Sequence, residues 1–302
     1  MRIVSVSLMR YFPKWNSLLL AALLFSLAPL ASSLPAQTAP PTQLRKVKDN
    51  IYVIENKVAD LDSIQHYGGN VLVYITPAGV LLVDCKFEPM HDDIVAKVKS
   101  LTDKPIKYVV LTHNHADHAG GAQKMSESGA TVIISKDDMD NMARAPKVTW
   151  LPEISYSGSA VLHLGGKEID LIEVRGHTKG DTLVYFPAEK IVETGDLFAT
   201  VENLPYIVDY TGGGNWTDLS GEVDDLLKLD FDSIVPGHGP SIGRAEVLKT
   251  RERIVAIRER FRELNREGKS ADEIRETLLK EYNWGNPPAP QMSIPGMMQE
   301  LK

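Results

Sequence analysis

The chain of 302 residues holds one cysteine, Cys85. A lone thiol cannot close an intramolecular disulfide, so stability must come from core packing and from any bound metal. Positive charge is also short, with 33 Lys and Arg against 40 Asp and Glu and a formal net charge of −7. That balance argues against nucleic acid or an anionic membrane as a partner, since both select basic surfaces. The apolar run from Leu18 to Leu30 is too short for a comfortable membrane span. No short-period repeat is present, which excludes a solenoid. What remains is a globular chain, 43% hydrophobic and 24% charged, long enough for one large core or two modest ones.

The start of the chain has its own pattern. Arg2, Arg10 and Lys14 precede the apolar run, and Ala31-Ser32-Ser33 and Ala36 follow it. This is the order of a secretory signal peptide, so residues 1–36 are expected to be removed and the product secreted or periplasmic, with no stable membrane span after cleavage. No cysteine lies near the cleavage region, which argues against a lipid anchor. The segment contains three basic residues and no acid, leaving 30 basic and 40 acidic residues and a net charge of −10. Residues 37–44, QTAPPTQL, read as a flexible lead-in, with structure beginning near Arg45.

Beyond that point, β-type runs fall at 51–54, 71–75 and 80–83, separated by the turns GGN and TPAG. The period then changes, because Ile94, Val95, Val98 and Leu101 repeat at helical spacing before Pro105. A strand at 106–111, a helix at 121–128, a strand at 131–134 and a helix at 136–143 follow. The second half has similar content: strands near 161–164, 169–174, 182–186, 191–193 and 233–235, with a helix near 219–229. Two sheets with helices outside them fit this order. After Pro240 the chain turns helical and charged, and Ser270-Ala271-Asp272-Glu273 has capping-box form. The end, NPPAPQMSIPGMMQE, is Pro- and Met-rich, and either hangs loose or lies over the fold.

The chemistry concentrates in THNHADHAGG, residues 112–121. It follows the apolar strand KYVVL and precedes a helix, so it occupies a loop at a strand's carboxyl end, where open α/β sheets usually place ligand sites. His113 and His115 can point the same way from an extended segment, while Asp117 and His118 fall on the next turn. Imidazole and carboxylate are ligand types that Zn²⁺ accepts without thiolate. One such motif cannot complete two coordination spheres, so further ligands are expected downstream. Three candidates have the same form, an apolar strand and then a ligand type beside glycine: Gly176-His177, Gly195-Asp196 and Gly237-His238. His66, His91 and His163 lack that context. Cys85 reads as a small buried apolar residue.

HNHADH, GHTKGDTLVYFP, TGDLF and PGHGP together resemble the metallo-β-lactamase superfamily, and the resemblance covers about Arg45 to Arg244. It implies an α/β fold, a four-layer αββα sandwich, with residues 245–302 as a C-terminal helical extension. It also implies two Zn²⁺ per chain: His113, His115 and His177 would hold the first, and Asp117, His118 and His238 the second, with Asp196 bridging and Asp84 supporting the loop from behind. Two cations would lower the pKa of a shared water and polarise a substrate carbonyl, and Asp117 would orient the water and pass its proton to the leaving group.

The resemblance leaves the substrate open. Asp196 is similar to the bridging ligand of glyoxalase-II-like thioesterases and lactonases, whereas β-lactamases usually carry cysteine or serine there. HTKGDTLVYFPAEK is closer to the β-lactamase-like branches, and no glutathione-binding basic cluster is evident. The expected activity is hydrolysis of a small-molecule lactam, lactone, ester or thioester. The alternatives are an iron-dependent, persulfide-dioxygenase-like oxidoreductase and a non-enzymatic relay or binding protein of an exported quinoprotein or sulfur-oxidation pathway. Ala59 to Asn70 reads as a hairpin loop over the metals. Tyr67, Tyr206, Tyr210 and Trp216 are candidates for an apolar substrate wall, with packing as their commoner role.

Overall fold

Strands such as VLVYIT and GVLLV, uncharged and nearly all apolar, have no polar face to offer water, so they must be covered on both sides. The computed structural model, which describes residues 41–146, 148–200, 207–284 and 289–302, covers them with helices on one face and a second sheet on the other. In the first sheet, β1 (Thr42–Lys48), β2 (Ile51–Asn56), β3 (Val71–Thr76) and β4 (Gly79–Val83) run antiparallel in chain order. Then β5 (Ile106–Val110), β6 (Thr131–Ser135) and β7 (Ile154–Tyr156) extend it in parallel. The second sheet contains β8 (Ser159–Leu164), β9 (Lys167–Val174), β10 (Asp181–Phe186) and β11 (Ile191–Glu193), all antiparallel. β12 (Ser233–Val235) joins parallel to β11, and β13 (Ile242–Gly243) closes the edge.

The pleat sorts each strand between two cores. Leu72, Tyr74, Leu81 and Val83 turn inward to meet Leu171, Val184 and Phe186 of the other sheet. Val71, Val73, Val80 and Leu82 turn outward. After α1 (Leu61–Tyr67), that outer face is covered by α2 (His91–Leu101) and, beyond the short α3 (Ala116–Ala119), by α4 (Ala122–Glu127), with α5 (Lys136–Arg144) at its margin. The outer face of the second sheet lies under α6 (Trp216–Leu226), α7 (Arg244–Arg266), α8 (Ala271–Tyr282) and α9 (Ala289–Glu300). The result is an αββα sandwich with extra C-terminal helices. Those helices share one apolar cluster with β9 to β12, through Ile254, Ile257, Phe261, Ile274, Leu278 and Met297.

The structure corrects two expectations. Residues 42–44 are not a flexible lead-in, because β1 begins at Thr42 and pairs with Asn56. The hairpin that enforces this turns at Asn50, whose φ of 66° is a left-handed conformation that Asn tolerates. Residues 59–70 do not form a hairpin loop either. Asp60 accepts from the Ser63 amide and caps α1. Of the two alternatives for the Pro- and Met-rich end, the structure selects the one in which it lies over the fold, since Ile294, Met297 and Leu301 are buried in the cluster shared with α7 and α8. The capping box at Ser270 and Glu273 forms as expected. The signal-peptide segment, the remaining lead-in at 37–40 and Tyr206 lie outside the described residues, and Met292's side chain does too. Among the described residues, no helix is long and apolar enough to cross a membrane.

Candidate metal centre

Four strand ends deliver the site. After β5, Thr112 to His118 form the motif loop and α3; after β9 comes His177, after β11 Asp196, and after β12 His238. Glycine is needed where these segments touch. A Cβ on Gly237 would lie 2.1 Å from Asp196 Oδ1, and one on Gly69 would lie 2.4 Å from the His118 ring. All seven predicted ligand residues converge, in two groups that could each hold a metal ion: His113, His115 and His177, then Asp117, His118, Asp196 and His238. His177 Nε2 lies 2.9 Å from His115 Nδ1, and His118 Nε2 lies 3.1 Å from His238 Nε2. Asp196 faces both groups. Its Oδ1 is 3.2 Å from the His118 and His238 Nε2 atoms, and its Oδ2 is 3.7 Å from His177 Nε2.

Hydrogen bonds around the rim fix which nitrogen of each ring can donate electrons inward. The Ile207 carbonyl can only accept, so His177 Nδ1, 2.7 Å away, carries the proton and its Nε2 presents a lone pair. Asp84 Oδ2 does the same for His118 Nδ1 at 2.7 Å, and Asp209 Oδ2 for His115 Nε2 at 3.0 Å. Thr112 donates its hydroxyl to Asp84 Oδ2, leaving its oxygen to accept from His113 Nδ1 at 3.0 Å. Four imidazoles therefore turn lone pairs toward each other at close range. Lone pairs at that spacing repel unless a cation lies among them. His113 Nε2 and Asp196 Oδ1 are buried without a well-aligned hydrogen bond, as vacant donor atoms of a metal site are. The residues fit a metal of the borderline, N- and O-binding kind.

Electrostatics agree. Burial opposes charge on His118, yet Asp196, Asp117 and Asp84 carry its pKa well above the ordinary imidazole value. Burial and the neighbouring imidazoles push His113 down, and burial with His115 takes His177 to about 4. Burial would raise Asp117 and Asp196, but His118 and His238 outweigh it, taking Asp117 to about 2 and Asp196 well below the carboxylate range. The Asp-rich group favours positive charge, while in the all-histidine group His113 and His177 stay neutral; burial opposes charge on His115 too, but its bond to Asp209 and the nearby Asp117 and Asp196 raise its pKa above the ordinary imidazole value.

Asp84 sits behind the loop as expected. Its oxygens also accept from the Thr112 amide at 2.8 Å, and its φ of 64° is a strained, left-handed backbone of the kind that accumulates at functional sites. Cys85 is buried in the core. His66, His91 and His163 lie outside both groups. Trp216 is fully buried against Trp284, and Tyr67 packs on the first sheet's core, so both serve packing. Sequence reasoning missed Asp209, for which no local signal exists. It also missed the buried pair Asp138 and Asp181, which hold the Thr178 hydroxyl beneath the His177 turn; the HTKGD spacing was the available clue to Asp181.

The metallo-β-lactamase superfamily profile matches residues 65–238, more than half of the chain. The chain belongs to the metallo-β-lactamase superfamily. A metallo-β-lactamase type 2 from Elizabethkingia meningoseptica is 24% identical over 210 residues, covering 67% of this chain and 80% of that protein. The 2,4-dinitroanisole O-demethylase subunit alpha of Nocardioides sp. (strain JS1661) is 28% identical over 47% of this chain and 43% of its own length. A hydroxyacylglutathione hydrolase from Pelagibacter ubique (strain HTCC1062) is 34% identical over 38% and 45% respectively. The chain thus spans less than half of two of these relatives. Among solved structures, a metallo-β-lactamase from Pontibacter korlensis superposes with a TM-score of 0.60 at 20% identity, covering 70% of this chain and 98% of that one. Superfamily members include metal-dependent hydrolases, and this chain carries the fold and the His and Asp clusters of that group.

Proposed function

We propose that this protein is a binuclear zinc hydrolase of a small carbonyl substrate: a lactam, lactone, ester or thioester. The observation that carries the reading is Asp196, whose two oxygens face two separate ligand groups. His113, His115 and His177 would hold one Zn²⁺, and Asp117, His118 and His238 the other. When bound, such a pair supplies an acidified water and an electrophile for the carbonyl. Asp117, whose Oδ2 lies 3.3 Å from His238 Nε2, would orient a water held there and would carry a proton from it to the leaving group. A cleft of about 260 Å³ between the β1–β2 hairpin, α1 and the turn at His238 offers room for the substrate body. The relatives' names cover a lactamase and an acylglutathione hydrolase, which act at a carbonyl, and a 2,4-dinitroanisole O-demethylase, which acts on an ether; the proposal follows the first two and names no single bond. The N-terminal pattern supports export.

The test is metal analysis of the purified protein together with turnover of a cephalosporin, a lactone and a thioester. Wild type should hold two zinc ions and turn over at least one substrate, and His115→Ala and Asp196→Ala should lose metal and activity together. Full metal content and activity in both variants would reject the site. Two zinc ions with no turnover of any of the three would reject the substrate class alone.

A further inference from the structure

Two of the three rim bonds that orient the all-histidine group, those to His177 and His115, come from one segment, residues 207–217, while Thr112 serves His113. Ile207 gives its carbonyl to His177 and Asp209 its carboxylate to His115, while the Asp209 amide returns to the His177 carbonyl at 2.8 Å. This segment has little stiffness of its own, because Gly212, Gly213 and Gly214 follow one another in it. Its support comes from the last helix of the chain, about 60 residues beyond the region that matches the superfamily profile. Ser293 Oγ accepts from the Val208 amide at 3.0 Å. The Glu300 carboxylate accepts from the Tyr210 hydroxyl, from the Trp216 and Thr217 amides at 3.0 and 2.8 Å, and from the Thr217 hydroxyl. One side chain thereby ties the turn at Tyr210 to the first residues of α6, whose amides have no partner within the helix. Burial would raise the Glu300 pKa, but these donors hold it below the usual range. Between them, Gly296 lies flat against the Tyr210 ring, where a Cβ would come within 2.2 Å of ring carbons.

We propose that helix α9 is a working part of the metal centre: through Ser293, Gly296 and Glu300 it holds residues 207–217 in the position that presents Asp209 to His115 and Ile207 to His177. Glu300 is then a positioning residue for the candidate metal ligands His115 and His177, 185 and 123 positions earlier in the chain. The inference rests on the metal-binding reading of the site. It specifies an asymmetry, because α9 reaches the rim of the three-histidine group and not Asp84, which orients His118 on the other side.

The experiment is Zn²⁺ titration of the metal-stripped full-length protein against a chromophoric chelator, for wild type, Glu300→Ala, Glu300→Gln, Asp209→Asn and the Glu300→Ala/Asp209→Asn double variant. Circular dichroism checks the fold, and Glu300→Gln, which keeps one acceptor oxygen, stands in should the alanine variant fail to fold. Glu300→Ala and Asp209→Asn are each expected to weaken one site by about tenfold or more while the other stays within about twofold. The double variant should fall well short of the product of the two single effects, since both act through the Asp209–His115 bond and only the Ile207–His177 bond is left for Glu300 to affect separately. Folded Glu300 variants with wild-type affinity at both sites, or effects that multiply in the double variant, would overturn the proposal. A wild type that binds two ions beside unaffected Glu300 variants refutes only this inference; a wild type that binds none refutes the metal centre as well.

Discussion

Asp84→Asn is the sharpest perturbation of the site, because it changes proton positions and little else. Asn tolerates the left-handed backbone at φ 64° nearly as well as Asp, and its size is the same, so backbone strain and packing are held constant. Asp84 accepts three hydrogen bonds: Thr112 N on Oδ1, and the Thr112 hydroxyl and His118 Nδ1 on Oδ2. Asn has only one oxygen. With that oxygen kept on the Thr112 amide, the NH₂ group faces His118 Nδ1, which must give up its proton to Nε2, the atom aimed at the metal position. The same NH₂ turns the Thr112 hydroxyl around toward His113 Nδ1, and His113's proton moves inward too. In the opposite orientation the Thr112 amide is buried against an NH₂ group. Losing a hydrogen bond to a charged partner costs about 1.5–3 kcal/mol. At about 1.4 kcal/mol per tenfold, that predicts metal affinity lower by roughly 10- to 150-fold. Both sites should weaken, since His118 belongs to one group and His113 to the other. Chelator competition on stripped protein measures this directly. Affinities within about twofold of wild type at both sites would refute the tautomer argument, however well the residues converge.

Two further outcomes are expected. Gly237→Ala places a Cβ 2.1 Å from Asp196 Oδ1 and 2.8 Å from the Gly195 carbonyl carbon, so the Asp196 carboxylate must move; metal content should fall at both sites, and a fully loaded, fully active variant would sink the bridging role proposed for Asp196. Lys86 is buried, donates to Asn56 Oδ1 at 2.9 Å and to the Gly68 and Gly69 carbonyls, and burial pushes its pKa down from 10.5 to about 7, against Asp93 and Asp117. The unfolded chain keeps that proton up to about 10.5 and the folded chain only to about 7, so its contribution makes the protein more stable as pH rises from 7 to 10 and less stable as pH falls. Lys86→Met should flatten that slope in urea unfolding curves; parallel pH profiles for the two proteins would show that Lys86 stays charged when folded.

How much of this was legible follows from where each signal lies in the chain. The strands were readable because burial on both faces leaves runs such as 71–76 and 79–83 without charge and almost without polar groups, a pattern that needs no tertiary knowledge. The ligand set was readable for a related reason. His113 to His118 announce a metal loop locally, and His177, Asp196 and His238 each stand beside glycine at a strand's end, so convergence followed from topology alone. The first residues of β1 were missed because QTAPPTQL has no alternation; its pairing is imposed by β2 across the turn at Asn50. α1 was missed because seven residues with one cap carry too little periodicity to stand out. Asp209 could not be found at all. Nothing in IVDYTGGG distinguishes an acid that orients His115 from one that faces water, and the glycines around it argue for a loose loop. Its position is fixed instead by a helix whose Pro- and Met-rich sequence reads as a tail. The first coordination layer is thus written in local motifs, since metals demand particular atoms. The layer behind it depends only on reach and hydrogen-bond direction, which many residues at many places in the chain can supply. In this chain the choice of ligands is local information and their orientation is not, because Asp209 is set in place from Glu300 and Ser293, far outside any motif.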